Sequence, residues 1–109
     1  MTIKELLIKC LSTDIHGAMK LRKEYPKELW FVFNTLVLHD NNYDYQLLYH
    51  TGTEQTHNTL IVRPLGSSIK ETKGESFLSR REYRISKTID SDTLNKLVDK
   101  IFIFGDAAV

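Results

Sequence analysis

The hydrophobic period of this chain changes twice, and that change restricts its fold more than any other feature of the sequence. Apolar residues follow the helical spacing i, i+3, i+4, i+7 and i+8 from Ile3 to Leu11 and again from Leu94 to Phe102. Between these stretches, Tyr43 to His50 alternate in the manner of a half-buried strand, and the apolar run Thr59 to Arg63 follows after a polar turn. We therefore predict helices at both ends and an antiparallel strand pair in the middle.

Local capping signals place the first two helices. Thr2 and Glu5 have the spacing of a capping box, in which side chains satisfy main-chain amides of the first helical turn. Asp14 is a second N-cap, and the helix that it begins is predicted to run to about Glu24. Pro26 ends that helix, because its ring cannot continue one.

The segment from Lys27 to Leu38 admits two interpretations. Its aromatic and β-branched residues, among them Trp30 and Val37, favour a strand. Pro26 suits the first turn of a helix, however, and Glu28 would lie near the positive end of the helix dipole. We predict a third, largely buried helix here, with a strand as the alternative.

The C-terminal part of the chain is predicted to contain one further strand and one further helix. Residues 66–76 are polar and punctuated by glycine, which is typical of an exposed connection. Phe77 to Ile89 then resume strand-like character. Asp90 or Ser91 caps the last helix, and Gly105 lies where a helix end is expected.

These elements together predict a single domain over residues 1–109. The chain has 109 residues, of which 41% are hydrophobic, enough for one compact core. Because the helices flank a run of strands and do not alternate with them, the fold class is α+β. We expect N-terminal helices and a C-terminal helix packed on a small antiparallel β-meander.

Motifs that identify common enzyme classes are absent from the sequence. There is no GxGxxG, GxxxxGK[ST], GxSxG, HExxH or paired CxxC. The four histidines, His16, His39, His50 and His57, show no ligand spacing of a known metal site, and Cys10 belongs to the apolar stripe of the first helix. We therefore expect no enzyme activity, no metal and no cofactor, with a histidine-dependent hydrolase as an alternative.

The chain has a formal net charge of only +1, but its charged residues are distributed unevenly along the sequence. Residues 40–60 contain three acids and no Lys or Arg, together with three tyrosines. Acids steer a basic partner and tyrosines anchor interfaces, so this composition predicts a protein-binding surface. Its candidate partner-binding residues are Asp40, Tyr43, Asp44, Tyr45, Tyr49 and Glu54. The alternative is that the tyrosines form the buried face of a strand.

A basic segment supports a second alternative. Arg80, Arg81, Arg84 and Lys87 surround Tyr83, and basic residues interleaved with an aromatic one are used to bind nucleic-acid backbones. The chain as a whole is not basic and carries no motif of a nucleic-acid-binding family. We do not expect a nucleic-acid partner, and the small nucleic-acid-binding protein stays an alternative.

In its size, its lack of catalytic motifs and the composition of Asn41 to Tyr45, the chain resembles bacterial immunity proteins, including those of contact-dependent inhibition systems. The resemblance implies a tight inhibitor that neutralises a cognate toxin by covering its active site or an adjacent surface. The toxin of such a system is commonly a nuclease with a basic surface. The partner implied is therefore a basic protein toxin.

The sequence also carries expectations about location. Its first eleven residues have only short apolar runs, interrupted by Lys4 and Glu5, unlike a secretory signal. No apolar run approaches the ~20 residues of a membrane span. A single cysteine, Cys10, provides no disulfide pair, as is usual in reducing compartments. We expect a cytoplasmic protein with no membrane partner.

Overall fold

The structure is a computed structural model that describes residues 2–32, 35–41, 43–64 and 81–107; for residue 64 and residues 102–107 it describes the main chain alone. Within these residues, three helices and five strands follow one another along the chain. They are α1 (Ile3–Leu11), α2 (Ile15–Glu24), β1 (Trp30–Val32), β2 (Thr35–His39), β3 (Tyr43–Leu48), β4 (His57–Pro64), β5 (Arg81–Ser86) and α3 (Ser91–Ala107). The predicted α+β class, with helices at both ends of the chain, is confirmed.

The five strands form one antiparallel sheet in chain order, from β1 at one edge to β5 at the other. Leu36 pairs with Leu47, and Leu47 pairs with Leu60, so this register places three leucines side by side across the middle strands. All three are fully buried. Directly paired residues share a face of the sheet, so this row lies on its core side.

The helices cover that side of the sheet. Buried residues from α1 and α3 belong to the same apolar cluster as the inward row of the strands. They are Leu6, Leu7, Cys10, Leu11, Leu94, Val98 and Ile101. Burial of these side chains against the sheet is the main stabilising contribution, since hydrophobic burial exceeds helix propensity in short helices.

The predicted helix starts are confirmed by their hydrogen bonds. The Glu5 amide donates to the Thr2 hydroxyl over 3.1 Å. The Gly17 amide donates to the Asp14 carboxylate over 2.9 Å and begins α2. In the same way, the main-chain amide at residue 93 donates to the Asp90 carboxylate over 2.8 Å at the start of α3. Local sequence therefore sets these three boundaries.

The prediction of a third helix over Lys27 to Leu38 was wrong, and the strand alternative is correct. After Pro26 the chain makes one turn, in which the Leu29 amide donates to the Tyr25 carbonyl oxygen over 3.1 Å. It then enters β1 and β2, which pair with each other while β2 also pairs with β3. β-branched and aromatic residues favour strands, and their pairing in the sheet prevails over the helix-start pattern at Pro26.

The predicted C-terminal end of the last helix was also wrong. The helix α3 continues through Gly105 to Ala107. Glycine lowers helix propensity by about 1 kcal/mol relative to alanine but does not by itself end a helix. The strand expected over Phe77 to Ile89 is observed over Arg81 to Ser86. The expected connection over residues 66–76 and the first residues of that predicted strand lie outside the described residues.

Candidate protein-binding surface

The three tyrosines of the predicted partner-binding set lie in the core. Tyr43, Tyr45 and Tyr49 are all buried on the helix side of the sheet. The Tyr49 hydroxyl donates to the main-chain oxygen of Cys10 over 2.6 Å. Burial raises the pKa of both Tyr45 and Tyr49 well above the usual range. This arrangement is the alternative that the sequence left open, in which the tyrosines form the buried face of a strand.

Asp40 organises the turn between β2 and β3. Its carboxylate accepts a 2.8 Å hydrogen bond from the Tyr43 amide and a 2.7 Å hydrogen bond from the Tyr45 hydroxyl. The side chain is half-buried. An aspartate that accepts from the main chain of its own turn stabilises that turn, so the structure assigns Asp40 a local structural role.

The remaining two acids of the set lie far apart. Asp44 is buried in β3 on the side of the sheet opposite the tyrosines, where its backbone pairs with His39 and Arg63. Glu54 is exposed in the connection between β3 and β4. These two acids flank opposite ends of a six-residue strand, which spans roughly 17 Å. The six predicted residues therefore do not form one continuous surface.

The side chains of the basic segment likewise lie on both sides of the sheet. Arg81 and Tyr83 alternate with Arg84 along β5, so Arg84 lies on the opposite side from the other two. The Arg81 guanidinium lies 5.7 Å from the centroid of the Tyr43 ring, within cation–π range. Lys87 follows the strand, and Arg80 lies outside the described residues. The described part of this segment forms no continuous basic groove.

Two of the histidines form hydrogen bonds with threonine hydroxyls, and the side chains of the other two are exposed to solvent. The His50 Nε2 atom lies 2.9 Å from the Thr59 hydroxyl, and the His57 Nδ1 atom lies 2.8 Å from the Thr56 hydroxyl. The side chains of the other two, His16 and His39, are exposed. Among the described residues, no three potential metal ligands come together.

Cys10 lies in the core, as its position in the helical stripe predicts. Its side chain is fully buried in the apolar cluster of the sheet and helices. Burial raises the pKa of the Cys10 thiol to about 12, so the group is a neutral thiol at physiological pH. A buried neutral thiol packs as a small apolar side chain and is a poor nucleophile.

The side of the sheet opposite the helices carries exposed apolar side chains, and we call it the open face. Trp30 is 62% exposed and Val32 is 49% exposed, both on the edge strand β1. Trp30 pairs with the half-buried Val37 of β2, which places the two side chains next to each other. Further across the sheet, the same side carries the half-buried Gln46, Leu48 and Thr59 and the buried Ile61. This surface is not predicted from the sequence, because Trp30 is expected there in a helix.

Among the described residues, the acids and the arginines on the open face are equal in number, and further acids lie beyond the ends of its strands. On this face, Asp44 of β3 lies opposite Arg63 of β4 in the strand register. Glu82 and Arg84 occupy successive positions of β5 on the same face. Asp40 follows the end of β2, and the exposed Glu54 lies beyond the other end of β3. The exposed apolar residues of this face, Trp30 and Val32, lie together on the edge strand β1, and a patch of large exposed apolar groups marks an interaction site.

Comparisons with protein-family models, with curated proteins and with solved structures find no match to this chain. None of the helices within the described residues combines the length and the apolar composition that crossing a membrane requires.

Proposed function

We propose that this protein binds another protein through the open face and inhibits it, as an immunity protein inhibits its cognate toxin. The observation that carries the proposal is the exposure of Trp30, which is 62% accessible on a strand and adjoins the exposed Val32. Large exposed apolar groups that form a patch mark interaction sites more often than isolated ones do. Tryptophan is also the residue type most enriched among those that dominate binding energy.

The partner in this proposal is a protein toxin with a basic surface. Residues 40–60 contain no Lys or Arg, and Glu54 is exposed at one end of the open face. Such an acid accelerates association with a basic partner over distances of about one Debye length, roughly 10 Å at 0.1 M salt. The exposed Trp30 and Val32 then slow dissociation. The proposal includes a cytoplasmic location, which agrees with the single unpaired Cys10.

The partner-binding set of the proposal therefore differs from the set chosen on the sequence. Trp30 and Val32 replace the three buried tyrosines as anchors, because a ring in the core offers no surface to a partner. Glu54 is kept as the acid that accelerates association, since its side chain is exposed. Asp40 is set aside, because its substitution would disturb the turn that it closes.

The test takes as the candidate toxin a large secreted protein with a variable C-terminal domain, if one is encoded directly upstream of the gene of this protein. Its C-terminal toxin domain is produced in bacteria with and without this protein, and growth is measured. We expect the wild-type protein to restore growth and the Trp30→Ala variant to restore it poorly. Met19→Ala is the matched control, because Met19 is also exposed, at 51%, but lies on α2.

Binding kinetics separate the two parts of the proposal. Trp30→Ala is expected to raise the dissociation rate, with an affinity loss on the order of 2 kcal/mol. Glu54→Gln is expected to lower the association rate at low salt and to have little effect at high salt. Full protection by Trp30→Ala, or a toxin domain that neither binds nor is inhibited by the wild-type protein, would contradict the proposal.

A further inference from the structure

A cavity of about 630 Å³ lies at the end of the sheet where α1, α2 and α3 come closest to the loops. Its walls come from four parts of the chain: the corner between α1 and α2, the end of β3, the start of β4, and the turn between β5 and α3. Small-molecule sites in proteins typically enclose about 300 to 1,000 Å³. The volume is therefore sufficient for a small organic ligand.

Asn58 contributes a hydrogen-bond donor to this cavity. Its side chain lines the cavity, although the residue is only 8% exposed. The Asn58 Oδ1 atom accepts a 3.1 Å hydrogen bond from the His50 main-chain amide. Because an amide N–H can donate only to the oxygen, this bond fixes the orientation of the carboxamide. The Nδ2 amide group has no hydrogen-bond partner among the described residues and is accessible from the cavity, so it can donate to a ligand bound there.

Lys87 supplies a positive charge to the same cavity. Its Nζ atom donates to the main-chain oxygen of His50, the residue whose amide holds Asn58. An ammonium group has three donors, so two remain for a ligand. The shared contact with His50 attaches the Lys87 ammonium and the Asn58 carboxamide to the same residue on one side of the cavity.

Among the described residues, the rest of the lining combines apolar side chains, hydrogen-bonded groups and the hydroxyls of Thr13, Thr51 and Ser91. Leu11, Ile89 and Leu94 provide apolar walls. The Tyr49 hydroxyl donates to a main-chain oxygen in α1. Asp14 is the single acid among the described residues of the lining, and its carboxylate accepts from the Gly17 amide, which lowers the pKa of Asp14. The Asp14 carboxylate is thus a cap of α2, while the Asn58 amide and the remaining Lys87 N–H groups can donate to a ligand.

We propose that this cavity binds a small carboxylate with an apolar body. The carboxylate accepts hydrogen bonds from the Lys87 ammonium and the Asn58 amide, and the apolar body contacts Leu11, Ile89 and Leu94. Charge-assisted hydrogen bonds of this kind are roughly twice as strong as neutral ones. The site is separate from the open face and does not depend on the proposed protein partner.

Nuclear magnetic resonance with hexanoate as the probe tests the proposal. Hexylamine, which has the same apolar chain and the opposite charge, is titrated in parallel at millimolar concentrations. We expect hexanoate to shift the main-chain amide signals of Thr13, Thr51 and Ser91, which line the cavity, and to leave the Trp30 indole signal unchanged. A stronger response to hexylamine, or no shift of the cavity signals with hexanoate, would overturn the proposal.

Two variants test the two donors separately. Asn58→Asp keeps the oxygen that accepts from His50 but replaces the free amide by a second acceptor, and Lys87→Gln removes the positive charge. We expect each to weaken hexanoate binding about tenfold or more, as is typical of losing a hydrogen bond to a charged group. Lys96→Gln on the exposed side of α3 is the matched control and should bind as wild type. If Asn58→Asp does not fold, Lys87→Gln decides, and unchanged binding by that variant contradicts the proposal.

Discussion

The Tyr49 hydroxyl donates a 2.6 Å hydrogen bond to the main-chain oxygen of Cys10 and thereby joins the end of β3 to the last turn of α1. The carbonyl groups of a last helical turn have no partner within the helix, so a buried one needs a donor from elsewhere. Tyr49 lies 39 residues further along the chain and provides it. This hydrogen bond adds a polar contact between the sheet and the helix layer to their apolar packing.

Removal of that hydroxyl should destabilise the protein measurably. Tyr49→Phe keeps the ring in place but leaves the Cys10 carbonyl unpaired, so we expect the free energy of unfolding to fall by about 1 to 3 kcal/mol. Urea unfolding followed by circular dichroism measures it. Tyr83→Phe is the control, because the half-buried Tyr83 hydroxyl accepts only a long hydrogen bond, of 3.5 Å, from Arg81. Equal effects of the two variants would argue against a special role for the Tyr49 contact.

Alkaline pH should destabilise the protein through its buried Cys10 thiol. The pKa of Cys10 is about 12 in the folded protein, against an ordinary value of 9.0. Above pH 9 the unfolded chain therefore loses a proton that the folded protein keeps, and stability present below that pH falls by up to about 1.4 kcal/mol per pH unit. Tyr45 and Tyr49, whose pKa values are also raised by burial, add to the loss above about pH 10.

The variant Cys10→Ala isolates the thiol contribution. Unfolding free energies are measured for both proteins at about pH 7 and about pH 10, and wild type should lose roughly 1 to 2 kcal/mol more than the variant over this interval. The tyrosine contribution is present in both proteins and cancels in the comparison. Identical pH profiles would show that the thiol is not shielded from solvent as its burial indicates.

Replacement of Leu94 or Leu97 of α3 by alanine should lower the free energy of unfolding by different amounts. Leu94 is 2% exposed, whereas Leu97 is only partly buried at the margin of the same cluster. We expect Leu94→Ala to lower the free energy of unfolding by about 2 to 5 kcal/mol, the range for emptying a buried leucine site. Leu97→Ala should cost clearly less. The reverse order, measured by denaturant unfolding, would mean that the helix presents a different side to the sheet.

Trp30 provides a direct optical test of the open face. It is the single tryptophan of the chain and is 62% exposed, so its fluorescence should be quenched readily by iodide in the free protein. An inhibited partner seated on the open face should shift the emission to shorter wavelength and protect it from iodide. Quenching in the free protein as weak as that of a buried indole would show that the face is already covered.

Local chemistry determined the helix starts, and these were predictable because each depends on residues within one turn. The Thr2 side chain reaches the Glu5 amide, and the Asp14 side chain reaches the Gly17 amide, without help from the rest of the chain. The alternation in β3 likewise showed that its tyrosines share one face. It could not show which face the helices cover, because that depends on packing between distant segments.

Tertiary structure decided the elements whose partners are remote in sequence. Trp30 became part of an edge strand because β2 pairs with β3, and this non-local pairing outweighed the helical signal of Pro26 and its neighbours. The same pairing leaves the Trp30 ring exposed, and the pairing of β3 with β4 brings Asn58 beside His50 at the cavity. The sequence by itself thus determined helix boundaries and the sheet period, whereas the contacts that form the open face and the cavity depend on long-range register, which no local pattern contains.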